Sequence, residues 1–136
     1  MTENEIKNFP KTEITEKVTA KSVDFAKQFA SYLAPSDRND RDGLKTSQLR
    51  KFFGEVKRQQ MHGYQESEFL MLKPKLAYAV GRAKANRKGK RIEYFYLFIS
   101  LLIDYVINSS NKEMAFKNFI TIFEAVVAYH KVFAEN

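Results

Sequence analysis

The chain has 136 residues, of which 44% are hydrophobic and 14% aromatic, and its formal net charge is +7. This length and composition predict one domain with a real core, which excludes a wholly disordered protein. The chain contains no cysteine, so disulfides, thiolate zinc sites and cysteine nucleophiles are also excluded.

The amino terminus is polar up to Pro10, which predicts a flexible arm over residues 1–12, followed by a single helical-bundle domain over 13–136. The first twenty residues hold no apolar run of the length that a secretory signal needs, so we expect a cytoplasmic protein. The segment 23–33 has helical spacing, with its apolar side chains on one face. These side chains are Val23, Ala26, Phe29, Ala30 and Leu33.

Pro35 ends this first predicted helix, and the loop 35–43 is expected to be too polar to pack and therefore mobile. A second helix is predicted over 46–60, with Thr46 or Ser47 as its cap. Its apolar face consists of Leu49, Phe52, Phe53 and Val56.

The second predicted helix also carries four cations and one glycine. Arg50, Gly54 and Lys57 share one flank, while Lys51 and Arg58 point away from the core. The glycine could let a phosphate backbone approach closely, or it could be a packing concession to a crossing helix, and the packing explanation is slightly favoured.

A third helix is predicted over 73–84, because Pro74 suits the first helical turn. Lys75, Tyr78 and Arg82 form a stripe opposite its apolar face. Two cations beside an aromatic ring suit single-stranded nucleic acid, since the charges meet phosphates and the ring stacks on bases. The alternative is a half-buried tyrosine between two ordinary solvated cations.

Positive charge is concentrated in the middle of the chain. Residues 45–91 hold thirteen basic and three acidic side chains, a net charge of +10, whereas both flanking segments are slightly negative. The run RAKANRKGKR at 82–91 contains six of these cations and is predicted to be a basic turn between helices. Such clustering favours a polyanionic partner, in particular nucleic acid, over a role in solubility alone.

Two apolar helices complete the predicted fold. The first is the segment 92–107, in which the apolar run 94–107 is too short for a membrane span of about 20 residues. It is either central to the bundle or partly exposed to another protein. The segment 114–133 directs Phe116, Phe119, Ile120, Phe123, Val126 or Val127, and His130 inward. The fold is therefore predicted to be all-α, a compact bundle of about five helices with short loops.

No catalytic constellation is visible in the sequence. The only histidines are His62, in a glycine-containing turn, and His130, which is expected to be a core histidine bonded to a backbone group or a tyrosine. The acids are scattered, so we predict no catalytic residue, no metal site, no cofactor and no enzymatic activity.

Three segments in this order resemble the small helical subunit of type III-A CRISPR effector complexes, the Csm complexes. They are TSQLRKFFGEVK at 46–57, LKPKLAYAVGR at 72–82 and FEAVVAYHK at 123–131. The resemblance implies a noncatalytic protein that stacks in several copies as the inner filament, beside backbone subunits and a large subunit that carry the catalytic activities. Its implied partners are target RNA, the guide/target RNA duplex and further copies of itself, with no membrane. Whether the isolated protein forms a homodimer stays open.

The resemblance and the charge pattern together give the predicted RNA-binding residues, which accept any sequence because base pairing reads the target. They are Arg50, Lys51, Lys57, Arg58, Lys73, Lys75, Tyr78, Arg82 and Lys84. Two other classes stay open at this point: a free-standing helical DNA-binding regulator that uses 46–57 as a recognition helix, and an enzyme or nuclease subunit.

Overall fold

The computed structural model describes residues 1–86 and 89–134, and within these ranges the chain is helical without any strand. In the described ranges eight helices follow one another: α1 (Glu3–Lys7), α2 (Thr12–Thr15), α3 (Ala20–Leu33), α4 (Thr46–His62), α5 (Glu66–Leu70), α6 (Leu72–Ala85), α7 (Lys90–Ile107) and α8 (Lys112–Ala134). Five of these helices are long, with at least 14 residues each: α3, α4, α6, α7 and α8. The all-α prediction is confirmed, and the predicted count of about five matches the long helices.

The helices α7 and α8 form the centre of the bundle. α8 packs along α2, α3, α4 and α7, while α7 also contacts α1, α2, α3, α5 and α6. No large apolar side chain of α7 is exposed. The interpretation of the segment 92–107 as the central helix of the bundle is therefore confirmed. No described helix is both long enough and apolar enough to cross a membrane.

The predicted inward faces agree with the observed burial, with one exception. On α8 all the predicted inward positions are buried, with Val126 rather than Val127 at the alternative position. On α3, however, Val23 is 41% exposed and Ser22 is buried instead. The reason is a polar contact: Ser22 lies against the carboxylate of Glu13, which fixes the rotation of the first turn of α3.

The flexible arm predicted over residues 1–12 is not confirmed. Ile6 and Phe9 are 1% and 3% exposed, and the Phe9 ring packs edge-on against Phe98 of α7. The hydroxyl of Tyr105 also donates a hydrogen bond to the carbonyl oxygen of Phe9 at 3.0 Å. Two buried apolar side chains are enough to hold a short polar segment against the bundle, and a search for long apolar runs overlooks them.

The loop 35–43 also contacts the bundle, although it was predicted to be too polar to pack. The carboxylate of Asp42 accepts three backbone N–H hydrogen bonds from the start of α7, at 2.8, 3.0 and 3.3 Å. The carboxylate of Asp40 pairs with the guanidinium of Arg91 and accepts hydrogen bonds from Ser36. Acidic groups at a helix N-terminus satisfy its unpaired donors and its dipole, so polarity is what attaches this loop.

His130 is the core histidine that the sequence predicts. Its side chain is fully buried, and Nε2 lies 2.7 Å from the carbonyl oxygen of Leu44, to which it donates. Burial lowers the pKa of His130 below 6.5, although the bond to Leu44 opposes this shift. The neutral imidazole thus joins α8 to the segment before α4.

Glu13 is the other buried ionisable group that organises the fold. It is 3% exposed and accepts hydrogen bonds from both the backbone and the hydroxyl of Thr19 and of Ser22. Burial alone would raise the pKa of Glu13, but these four bonds outweigh it and lower the pKa below 4.5. The carboxylate therefore caps the first turn of α3 from outside the helix.

We expect Glu13→Gln to lower the free energy of unfolding by about 1–2 kcal/mol near neutral pH, because the amide replaces a charged acceptor. The folded pKa lies below the unfolded value, so the stabilisation is complete above pH 4.5 and is lost as the pH falls through the folded pKa. Urea denaturation at neutral pH and at about pH 3 measures both effects. If the variant and the unsubstituted protein lost the same free energy of unfolding between neutral pH and about pH 3, this role of Glu13 would be contradicted.

Candidate nucleic-acid interface

An open groove of about 1010 Å³ lies between α4 and α6. Its floor is apolar, with Phe52, Leu72 and Ile92 contributing to the lining. Polar and charged groups of both helices line it as well. The polar and charged lining residues are Gln48, Lys51, Glu55, Lys75, Tyr78, Arg82 and Asn86. The groove therefore combines an apolar floor with cationic side chains from two helices.

Four of the nine predicted RNA-binding residues meet in this groove. Lys51 comes from α4, and the stripe of Lys75, Tyr78 and Arg82 comes from α6. The Tyr78 ring is 70% exposed, so it is not the half-buried tyrosine of the alternative interpretation. Neither Lys51 nor Arg82 forms an ion pair with any described carboxylate. These two cations offer unpaired positive charge to a ligand.

Glu55 is the acidic member of the groove. Its carboxylate accepts two hydrogen bonds from Arg58, at 3.0 and 2.8 Å, and lies 3.2 Å from the ammonium of Lys75. The Arg58 bonds, assisted by Lys75 against the effect of burial, lower the pKa of Glu55 to about 2. The pair with Lys75 links α4 to α6 across the groove and partly neutralises both Lys75 and Arg58.

The other predicted cations lie outside the groove. Lys57 stands 6.0 Å above the ring of Phe53, which contacts Phe123 of α8, so Lys57 lies on the α8 side of α4. Arg50 is exposed and, seven residues earlier, shares that flank. Lys73 pairs with Asp104 and Lys84 pairs with Glu93, at 2.5 and 3.2 Å. The structure thus divides the predicted set between one groove and several separate surfaces.

Gly54 lies on the wall of the groove. A Cβ atom added at this position would meet no heavy atom within 4 Å. The slightly favoured explanation, a packing concession to a crossing helix, is therefore wrong. The wall is open here, which leaves room for close approach of a phosphate backbone.

The structure describes only part of the predicted basic turn 82–91, because Arg87 and Lys88 lie outside the described residues. Arg91, at its end, is engaged by Asp40 and Asp42 of the loop 35–43. Arg91 is one of the six cations of the predicted basic turn, and nothing in the local sequence indicates that two acids some fifty positions earlier contact it.

Sequence reasoning also missed two polar groups of the groove, Gln48 and Asn86. Gln48 lies three residues before Lys51, so helical spacing from that cation could have found it. Within the described ranges, no group of three or more histidine, aspartate or glutamate side chains is placed to hold a metal ion. His62 is exposed at the end of α4.

The fold and the groove define an all-helical protein with two unpaired cations, Lys51 and Arg82, on one interhelical surface of the described chain. The family model for Csm2 Type III-A matches residues 16–136, which is nearly the whole chain, and the chain belongs to this family. No curated protein and no solved structure matches it. The family resemblance carried by the segments 46–57, 72–82 and 123–131 is thereby confirmed.

Membership of the family defines the setting of the chain. It is a small subunit of a type III-A CRISPR complex and assembles there with other Csm subunits. The family is a structural component of the complex and is generally noncatalytic. The match begins at residue 16, so α1 and the buried Phe9 lie before it.

Proposed function

We propose that this subunit binds the backbone of the guide and target RNA along the α4–α6 groove without reading sequence, while several copies stack as an inner filament. The observation that carries the proposal is the meeting of Lys51 and Arg82 with the exposed Tyr78 ring on one open surface. The cations attract the phosphates of the strand, and a base stacked on the ring contributes about 1–3 kcal/mol.

The composition of the groove supports binding without sequence specificity. Phosphate contacts position a nucleic acid but carry no sequence information, and a tyrosine ring stacks on any base. In an RNA-guided complex base pairing selects the target, so the protein has to accept every sequence. The predicted site is thus narrowed to Lys51, Lys75, Tyr78 and Arg82, with the remaining five cations contributing long-range attraction.

A DNA-binding regulator is less well supported by the same helix. A recognition helix needs one free face in the major groove. Phe52 and Phe53 are both partly buried, against Phe95 and Phe123, so a wide face of α4 is occupied by the core. The remaining surface of α4 suits backbone contact better than base readout.

Stacking of copies is the second part of the proposal. Met61 and Val132 are 86% and 69% exposed, which makes them available for contacts between copies or with other Csm subunits. Sedimentation velocity over a range of concentrations, with and without a long RNA, measures this association. Monomers under every condition would contradict self-stacking.

The binding test is a titration with several unrelated single-stranded RNAs, a guide/target duplex and duplex DNA at several salt concentrations. We expect similar affinities for the RNAs, falling with a log–log salt slope of about −0.7 per phosphate contacted on single strands. Selective binding of one DNA sequence would favour the regulator instead. Absence of any RNA binding, by the isolated subunit and by the assembled complex, would refute the proposal.

Glu55→Gln is expected to strengthen RNA binding about two- to fivefold at low salt. The substitution removes a negative charge from the groove and frees Lys75 and Arg58 from their ion pairs with Glu55. Ion pairs near the protein surface each contribute roughly 0.2–1 kcal/mol, so breaking them costs little. Fluorescence anisotropy with a labelled single-stranded RNA measures the change. Glu124→Gln, an exposed acid on α8, is the matched control and should leave the affinity nearly unchanged. Weaker binding by Glu55→Gln would show that Glu55 holds the groove in shape rather than opposing the ligand.

A further inference from the structure

A second depression, of about 280 Å³, adjoins the groove at the start of α7. It shares Gln48, Ala83 and Ile92 with the groove, so the two form one continuous surface. Its own cations are Arg41 and Lys45, neither of which belongs to the predicted RNA-binding set.

Arg41 and Lys45 keep their positive charge available. Both are exposed, and neither pairs with a carboxylate in the described part of the chain. Of the three acids of the same loop, Asp37 accepts the backbone N–H of Asn39 and lines neither depression. The other two are engaged elsewhere, since Asp40 pairs with Arg91 and Asp42 accepts the three N–H groups at the start of α7. The helix N-terminus is thereby satisfied internally, and the charge left for a ligand is that of the two cations.

The segment that carries these cations is fixed in place from both sides. Asp42 attaches it to α7, and the N–H group of Leu44 donates to the carbonyl oxygen of Leu33 at 2.7 Å. Gly43 packs so closely on Pro35 that a Cβ atom added to the glycine would clash with the Cα atom of Pro35. A backbone that is already ordered loses little entropy when its side chains bind a ligand.

We infer that Arg41 and Lys45 form a second phosphate-binding position, which extends the RNA track from the α4–α6 groove past Gln48 to the start of α7. The inference rests on the proposed function and deepens it, because the ligand is the same RNA strand. Asp40 and Asp42 are positioning residues, which hold the loop at the end of the groove.

The test compares Arg41→Ala/Lys45→Ala with the matched control Lys21→Ala/Lys27→Ala, which removes two exposed lysines of α3 that line neither depression. Two single-stranded RNAs are used, one of about 20 nucleotides and one of about 4, near the smallest site sizes of such surfaces. For the long RNA we expect about tenfold weaker binding and a salt slope smaller by about 1.4, which corresponds to two phosphate contacts. The short RNA, which fits within the groove, should bind almost as before.

Two outcomes would overturn the inference: a loss no larger than that of the control, or an equal loss for both RNA lengths, which would indicate general attraction rather than contact. The variant Lys51→Ala/Arg82→Ala separates this result from the proposed function. If that variant weakens binding while the Arg41/Lys45 variant does not, only the extension fails. If neither weakens binding, the proposed function fails as well. A second variant, Arg41→Gln/Lys45→Gln, removes the two charges but keeps long polar side chains. Circular dichroism of every variant shows whether the protein is folded.

Discussion

Lys51→Ala combined with Arg82→Ala is expected to weaken binding of single-stranded RNA by about ten- to a hundredfold at low salt. The two side chains line opposite walls of the α4–α6 groove and have no partner among the described carboxylates. Two lost phosphate contacts that each contribute about 0.7–1.4 kcal/mol net correspond to this range, since 1.4 kcal/mol is a factor of ten. Anisotropy titrations at several salt concentrations should also show a slope reduced by about 1.4.

Lys73→Ala combined with Lys84→Ala is the matched control for this variant. It removes the same charge from cations that are paired with Asp104 and Glu93 outside the groove. We expect a loss of less than about threefold, because long-range attraction is screened by salt. Equal losses in the two double variants would mean that net charge, rather than the groove, determines RNA affinity.

For a third variant, Lys75→Ala with Arg82→Ala, the loss of RNA affinity should lie between those of the other two double variants. The reason is that Lys75 is already paired with Glu55.

Phe9→Ala is expected to lower the free energy of unfolding by about 3 kcal/mol, even though it lies in a segment predicted to be flexible. The ring is 3% exposed, and its centroid lies 5.0 Å from that of Phe25 and 5.2 Å from that of Phe98. Truncation leaves a cavity among these aromatic rings, and its cost adds to the lost burial. Chemical denaturation of the variant and of the unsubstituted protein measures the difference.

Phe9→Leu provides the comparison for the arm. It keeps the apolar contact while changing its shape, so we expect a cost of about 1 kcal/mol, well below that of alanine. Two variants as stable as the unsubstituted protein would show that residues 1–12 do not contribute to the core. The flexible arm predicted from the sequence would then be correct.

The long helices could be predicted because apolar spacing records local packing. On α8, inward and outward positions alternate with helical period over the whole length, and the burial follows that pattern from Phe116 to His130. The exception on α3 is instructive. Ser22 replaces Val23 in the core only because Glu13, nine residues away, accepts its hydrogen bonds, and no hydrophobic period includes such a contact.

The candidate site could be predicted only in part, because long-range pairing decides which cations remain unpaired. The stripe of Lys75, Tyr78 and Arg82 follows from spacing within one helix. That Lys75 meets Glu55 on another helix, and that Arg91 meets Asp40, depends on the tertiary arrangement. Counting charges along the chain locates a basic region but does not separate paired from unpaired members.

The central claim is that RNA lies in the α4–α6 groove, and an NMR titration of the isotope-labelled subunit with single-stranded RNA tests it most directly. We predict that backbone amide signals of the groove walls, from Gln48 to Glu55 and from Lys75 to Asn86, shift until the RNA saturates the subunit. More RNA should be needed for saturation at higher salt concentration. The signals of the outer face of α8, such as Thr121 and Glu124, should stay in place. Shifts confined to α3 and α8, with the groove signals unchanged, would contradict the claim and place the RNA outside the α4–α6 groove.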